Sequence, residues 1–196
     1  MNDDNSLAKK RIGVALTGSF CTLEAGLDII SNLVSLGAEV IPIISSTVNT
    51  TDTKFSSALD IKKRLTELTG KPIIKTIEEA EPIGPKKLLD ALAVLPATGN
   101  TLAKITHGIT DTPVTMAVKA HIRNNRPVIL GISSNDALGN GAKNIGMLLG
   151  MRNIYFVPFS QDMPHEKPRS VVFDTRYAIA AIAKALDGQQ LQPLLV

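Results

Sequence analysis

Three apolar runs limit what this chain can fold into: Ile12-Gly13-Val14-Ala15-Leu16, Ala91-Leu92-Ala93-Val94-Leu95 and Val128-Ile129-Leu130-Gly131-Ile132. None alternates polar with apolar residues, so each predicts a short strand covered on both faces, as in a parallel sheet. Each also breaks into small and hydroxyl-bearing residues: Thr17-Gly18-Ser19-Phe20-Cys21-Thr22, Pro96-Ala97-Thr98-Gly99-Asn100-Thr101 and Ser133-Ser134-Asn135-Asp136. The second break organises the rest. Residues 101–105 read as the first turn of a helix that Asn100 or Thr98 caps, which makes the segment a strand-to-helix turn. In open α/β sheets ligands sit at such carboxyl ends of strands, although turn and cap chemistry alone also favours these residues.

Further strands are predicted over 39–44, 71–74 and 154–157, making six. Leu23, Leu27, Ile30 and Val34 recur at helical spacing, with Gly37 as the stop. Helices are also predicted over 60–68, over 86–90 with Pro85 at the first helical position, after Asp111-Thr112-Pro113, over 142–150 and over 175–186. Residues 48–55 and 160–170 read as polar loops. Alternating strands and helices predict one doubly wound, mostly parallel α/β sheet with helices on both faces, a Rossmann-like architecture. The 196 residues then divide into a polar leader, 1–9, and one α/β domain, 10–196.

Several function classes are disfavoured. The basic residues are scattered, the net charge is only +3 and aromatics are 4%, so a nucleic-acid stripe is not expected. No apolar segment approaches the roughly 18 residues that cross a bilayer, and the acidic, polar N-terminus is the opposite of a secretion signal. A single cysteine, Cys21, excludes an internal disulfide and fits a reducing, cytoplasmic compartment. It is read as a small packed hydrophobe. His107, His121 and His165 lack ligand spacing, so no metal site is expected. His107 reads as a helix-end residue. His165, near Lys167 and Arg169, is the better functional candidate.

The strand ends carry the chemistry. The turn after the first strand lacks both G-x-G-x-x-G and the lysine of a P-loop. The second strand ends in Ser45-Ser46-Thr47, without the acidic residue that a dinucleotide ribose needs there. Three consecutive hydroxyls suit a terminal phosphate better; an ordinary Ser/Thr-rich loop is the alternative.

Taken together, Gly18-Ser19, Ser45-Ser46-Thr47, Pro96 to Thr101 and Ser133-Ser134-Asn135 resemble the FMN-binding flavoprotein family of homo-oligomeric, flavin-containing cysteine decarboxylases. Pro96-Ala97-Thr98-Gly99-Asn100-Thr101 is similar to that family's P-A-S-A-N-T motif, and Leu102 to Asp111 continues the likeness. Ser134-Asn135 and Asn144 resemble its later asparagine-containing motif and the helix behind it. The resemblance covers most of residues 10–160. It implies a flavoprotein-type fold, a homo-oligomer (a trimer or a multiple of one) and an FMN pocket. Gly18, Ser19, Ser45, Ser46 and Thr47 would lie around the phosphate and Thr98, Asn100 and Thr101 around the ring system, with Phe20, Pro96, Ser133 and Asn135 also in contact with the cofactor.

One departure matters. The position matching the decarboxylases' catalytic histidine is Pro82, so their acid/base step has no imidazole here. Tyr155 to Pro164 and Lys167-Pro168-Arg169-Ser170 are instead similar to a narrower branch, the flavoprotein-like B subunits that work beside a dehydrogenase-like A subunit in spore-forming bacteria. That likeness implies a small dicarboxylate substrate, which loses water and is oxidised to pyridine-2,6-dicarboxylate in the mother-cell cytoplasm. Nicotinamide chemistry, NAD(P), would belong to the A subunit. Two other readings stay open: a non-catalytic assembly subunit with a degenerate pocket, and a free-standing FMN-dependent decarboxylase, which Pro82 disfavours.

A dianion needs paired cationic donors. The basic residues nearest the motifs are Lys104, Lys143, Lys167 and Arg169. Lys104 lies one helical turn beyond Asn100 and is expected on the same face. Lys167 and Arg169 are expected to recognise carboxylate or dock the A subunit. Asn100, Lys104, His165 and Arg169 are the catalytic candidates.

Overall fold

The computed structural model describes residues 6–196. β1 (Arg11–Leu16) leads through a short turn into α1 (Leu23–Ser35), and α1 returns the chain to β2 (Glu39–Ile44). Three helices follow, α2 (Ser46–Thr50), α3 (Ala58–Thr69) and α4 (Ile77–Ala80), before β3 (Ala91–Ala97). Next come α5 (Gly99–Thr106), α6 (Pro113–Ile122), β4 (Val128–Ser134), α7 (Ala142–Leu149) and β5 (Ile154–Phe156). The chain closes with β6 (Phe159–Gln161), β7 (Val171–Phe173) and α8 (Ala178–Leu186).

The parallel strands run in the order β2-β1-β3-β4-β5. Helices α1 and α8 pack on the sheet and on each other, with α3 against α1. Helices α5, α6 and α7 form a second contacting group, with α6 on β3 and β4 and α7 on β5. The sheet is thus covered on both sides, and every position of β3 is buried. That is why its sequence is apolar without alternation. Local chemistry starts the helices: Ser45, Ser57, Thr98 and Thr112 each accept a first-turn N–H, and Thr76 with Glu79 closes a capping box.

Four local expectations are corrected. Residues 71–74 are not a strand; Ile74 alone bridges Ile43, beside Pro72, which has no N–H to extend the ladder. Within 48–55 the chain is partly helical, because Ser45 caps α2 by accepting the Val48 N–H. No helix forms over 86–90: Lys87 adopts φ 49°, and Asp90 is drawn to the Arg11 guanidinium and N–H. Finally, the loop over 160–170 is the tip of a hairpin. β6 and β7 pair antiparallel, and β7 pairs antiparallel with the end of β4 through Ser133 and Ser134. Among the described residues the sheet is mixed, with seven strands and mostly parallel pairing. Of the leader expected over 1–9, residues 1–5 lie outside the described residues; Leu7 is fully buried in the core.

At the opposite end of the sheet from the strand termini discussed below, Asp90 ties together β1, β3 and the approach to β4. Its carboxylate accepts from Arg11 at 2.8 Å and from Arg126 at 3.2 Å. His121 on α6 is 1% exposed and donates Nε2–H to the Pro127 carbonyl at 3.1 Å. Burial first, then the Arg126 charge, pushes its pKa down from 6.5 to about 4. The unfolded chain therefore takes up a proton that the folded chain refuses. Stability is fully present above 6.5 and is lost as pH falls toward 4, by about 2 kcal/mol between pH 7 and pH 5. Urea unfolding at those two pH values should show this loss. The His121→Gln variant, which keeps a donor for Pro127, should flatten it; an equally steep loss in the variant refutes the assignment.

Candidate functional site

The order β2-β1-β3-β4-β5 reverses direction between β1 and β3, and at such a switch point the two following connections leave on opposite faces and open a crevice. The ends of β1, β3 and β4 meet there in a cleft of ≈1170 Å³. Its volume exceeds the roughly 300–1,000 Å³ usual for small-ligand pockets. Gly18 to Thr22 line one side, Thr98 to Asn100 another, Ser133 to Asp136 the floor, and α7 and the β6–β7 hairpin the remainder.

Thr17 assembles the centre. It is 1% exposed, donates its hydroxyl to the Pro96 carbonyl at 2.8 Å and accepts the Thr98 N–H at 3.0 Å. The turn after β3 is thereby pinned to the end of β1. Thr98 in turn accepts the Thr101 N–H and lies 3.0 Å from the Thr101 hydroxyl. The N–H groups of Gly99 and Asn100, at the start of α5, have no protein acceptor among the described residues and open toward the cleft.

A second knot joins β1 to β4. Ser133 Oγ, on a residue only 7% exposed, lies 2.8 Å from Ser19 Oγ and 2.9 Å from Thr22 Oγ1. Thr22 donates to Ser19 Oγ at 3.0 Å. Three interlinked hydroxyls are neutral, share their protons and can reorient toward an acceptor. Cys21 is exposed at this edge, with Sγ 3.8 Å from Ser19 Oγ, rather than packed as a small hydrophobe.

Of the residues expected around a cofactor, Gly18, Ser19, Phe20, Thr98, Asn100, Ser133 and Asn135 line this one cleft. Pro96 and Thr101 are buried beneath it and position the turn. Ser45, Ser46 and Thr47 stand outside the lining. Ser45 is spent on its cap, and Thr47 abuts Gly18, where an added Cβ would come within 3.0 Å of Thr47 Cγ2.

The catalytic candidates divide. Asn100 and Arg169 line the cleft. Lys104 does not: its ammonium is held by both oxygens of Asp111, at 2.8 and 2.9 Å, and this hydrogen bond holds the Asp111 carboxyl below its ordinary range. His165 is exposed at the hairpin tip, outside the lining. Thr22, Asp136, Asn140 and Asp162 reach the cleft without having been singled out from the sequence, and so does His107, which was read there only as a helix-end residue. Proximity to strand ends was the available signal for Thr22 and Asp136. Pro82, standing at the decarboxylase histidine's position, sits in a single 3-10 turn packed against α6, away from the cleft lining.

The donor set fits a flavin mononucleotide: neutral hydroxyls and free N–H groups at three strand ends, over a floor of small residues. Among the described residues no cluster of His, Cys, Asp or Glu could hold a metal ion. No helix among them is long and apolar enough to cross a membrane.

Comparison with known proteins agrees with this geometry. The model of the family described as Flavoprotein matches residues 1–157. The dipicolinate synthase B subunit of Bacillus subtilis (strain 168) is 49% identical over 192 residues, spanning 98% of this chain and 96% of that protein. The crystal structure of the dipicolinate synthase B subunit from Bacillus halodurans C superposes with a TM-score of 0.89 at 45% identity, covering 97% of each chain. The FMN-dependent cysteine decarboxylase SpaF shares the fold, with a TM-score of 0.67 at 24% identity over 92% of this chain and 97% of its own.

Proposed function

We propose, for a chain that belongs to the flavoprotein family and within it to the dipicolinate synthase B subunits, that the cleft holds FMN and a small dicarboxylate. The reaction is the last step to dipicolinate, carried out with the dehydrogenase-like A subunit of dipicolinate synthase. Hydroxytetrahydrodipicolinate loses water, and the dihydropyridine so formed gives up a hydride and a proton to become pyridine-2,6-dicarboxylate. The hydride passes to NAD(P)+ on the A subunit. FMN, when bound, would supply a planar face against which such a ring can stack.

The observation that carries this reading is the convergence of the three strand ends on one cleft. Ser19, Thr22 and Ser133, with Gly18, form a neutral cradle for the phosphate end, with Thr47 at its edge. The free N–H groups of Gly99 and Asn100 face the ring system. His107, at the end of α5, is the one histidine among the described residues that line the cleft. It is the group placed to move a proton during loss of water. Arg169 takes a substrate carboxylate. The chain works as a homo-oligomer, a trimer or a multiple of one, in the mother-cell cytoplasm of a sporulating bacterium.

A second reading is supported by Pro82. With no imidazole at the family's acid/base position, the chain serves as a non-catalytic assembly protein that retains a degenerate pocket and positions the A subunit. One series of measurements separates the two. The purified chain is incubated with FMN, its visible spectrum and solution mass are recorded, and it is assayed alone, beside the A subunit alone, and in a mixture of the two. Flavin uptake, an oligomeric mass and turnover in the mixture are expected. Turnover by the mixture without flavin uptake supports the assembly reading; full turnover by the A subunit without this chain refutes both.

A further inference from the structure

Among the described residues, one buried side-chain polar atom lacks a hydrogen-bond partner: Oδ1 of Asn144, on a residue 6% exposed. Buried polar groups are normally satisfied, so an orphan beside a cleft calls for a reason. Asn144 lies in the first turn of α7 and lines the cleft. Gly141 precedes that helix and no side chain caps it. The Ala142 N–H goes to the Gly139 carbonyl and the Asn144 N–H to the Gly141 carbonyl, and the Lys143 N–H has no protein acceptor among the described residues. The Lys143 side chain lines the cleft as well, and its ammonium has no ion-pair partner among the described residues.

The hairpin brings a second cation to the same place. The Arg169 carbonyl accepts the Leu138 N–H at 3.0 Å, and the Arg169 stem runs within 3.1 Å of where a Cβ on Gly139 would sit. Gly139 is the residue whose carbonyl takes the Ala142 N–H, so Arg169 lies along the turn that feeds α7. Its guanidinium stays 68% exposed, with Asp136 no nearer than 3.9 Å. Lys167 differs: Asp162 holds it at 3.1 Å and also accepts from Ser170. Lys167 and Arg169, expected from the sequence to act as a pair, both line the cleft, but Asp162 engages the Lys167 ammonium whereas Lys143 has no ion-pair partner among the described residues.

We propose that Arg169, Lys143 and Asn144 form a carboxylate subsite at the hairpin end of the cleft. It takes one carboxylate of a small dicarboxylate, and it rests on the reading of the cleft given above. Arg169 offers a two-pronged donor. Lys143 offers its ammonium and its free N–H at the positive end of α7. The Asn144 carboxamide keeps its oxygen buried and so offers its NH2 group, the accessible end, as a donor. Asp136 keeps Arg169 aimed until the ligand carboxylate replaces it, and Lys167 neutralises Asp162 on the same hairpin.

Titration calorimetry on the FMN-incubated chain tests this, with pyridine-2,6-dicarboxylate and pyridine-2-carboxylate as probes. The parent is expected to bind the dianion about tenfold more tightly than the monoanion, a difference of about 1.4 kcal/mol. Lys143→Gln and Arg169→Gln should each weaken dianion binding about tenfold, and Arg169→Gln should erase the preference for it. Asn144→Leu should also weaken binding, while its thermal midpoint holds or rises because the orphan oxygen is gone. Flavin uptake should be unchanged in all three. Variants that bind the dianion like the parent overturn the subsite, with the role given to Arg169, and leave the rest of the proposed function standing. An Asn144→Leu variant with a lowered midpoint and parental affinity makes that residue structural and overturns its part. A parent that binds neither probe yet turns over with the A subunit places the substrate elsewhere and overturns the subsite and the dicarboxylate's place in the cleft, while the reaction with the A subunit stands. No binding together with no turnover overturns both.

Discussion

Replacing Gly26 by Val is expected to leave little folded protein. Gly26 lies in the first turn of α1, where that helix crosses the end of β3. A Cβ at this position would come within 2.6 Å of the Leu95 carbonyl oxygen and 2.7 Å of a Leu16 methyl carbon. The first of these neighbours is backbone in a fully buried strand, so it cannot swing aside. Two effects compete when even an alanine is introduced. Helix propensity gains about 1 kcal/mol, whereas overpacking in a close-packed interior costs roughly 1–3 kcal/mol. Against a carbonyl the second wins, and valine adds two more methyl groups to the collision. Gly146 on α7 makes the control: an added Cβ there meets nothing within 4 Å. Gly146→Ala should therefore stabilise by about 1 kcal/mol, which is the propensity term alone. Opposite signs for Gly26→Ala and Gly146→Ala in urea unfolding are the expected result. A stabilised Gly26→Ala would show that α1 does not sit as close to β3 as described.

Ser133→Val is expected to cost about a hundredfold in FMN affinity with the fold retained, corresponding to about 2.7 kcal/mol. Ser133 is the node of the hydroxyl knot, within 2.8 Å of Ser19 Oγ and 2.9 Å of Thr22 Oγ1. Valine fills the same position and carries no hydrogen-bonding group. It strips a partner from two hydroxyls at once, and each such loss costs about 1–3 kcal/mol when no replacement is found. The surviving contact between Thr22 and Ser19, at 3.0 Å, lets the turn after β1 close on itself instead of being held toward β4. Ser133→Thr, which keeps the hydroxyl, should recover most of the affinity. Flavin titration of the two variants beside the parent is the measurement. Equal affinity in Ser133→Val and parent would remove the hydroxyl knot from the phosphate cradle.

Much of the framework was legible because burial on two faces imposes a composition that nothing else explains. β1, β3 and β4 read as strands from apolar continuity alone, and the turn residues behind them mark the carboxyl ends that line the cleft. Cap chemistry acts over three residues, so Thr98 and Thr112 announce α5 and α6 in the chain itself. The same signal was present at Ser45, where three hydroxyls drew attention to a phosphate and away from the Val48 N–H that Ser45 accepts. The β6–β7 hairpin was less legible. Each of its strands has three residues and leans on the end of β4, so pairing rather than propensity holds it extended.

By itself the sequence determined the class of fold, the order in which strand ends arrive, and which residue types stand at each of them. Those are local properties: periodicity, capping and turn chemistry act within a few residues along the chain. Only the tertiary structure decided which charges remain free to meet a ligand. Lys104 and Asn100 are close neighbours on one short helix, yet Asp111 claims the lysine. Lys167 and Arg169 are nearly adjacent, yet Asp162 holds the first while the second lies along the turn into α7. Asn144 carries an unpaired buried oxygen that no spacing announces. Electrostatic pairing is settled by distances of a few ångströms between segments far apart in the chain, and folding alone sets those distances.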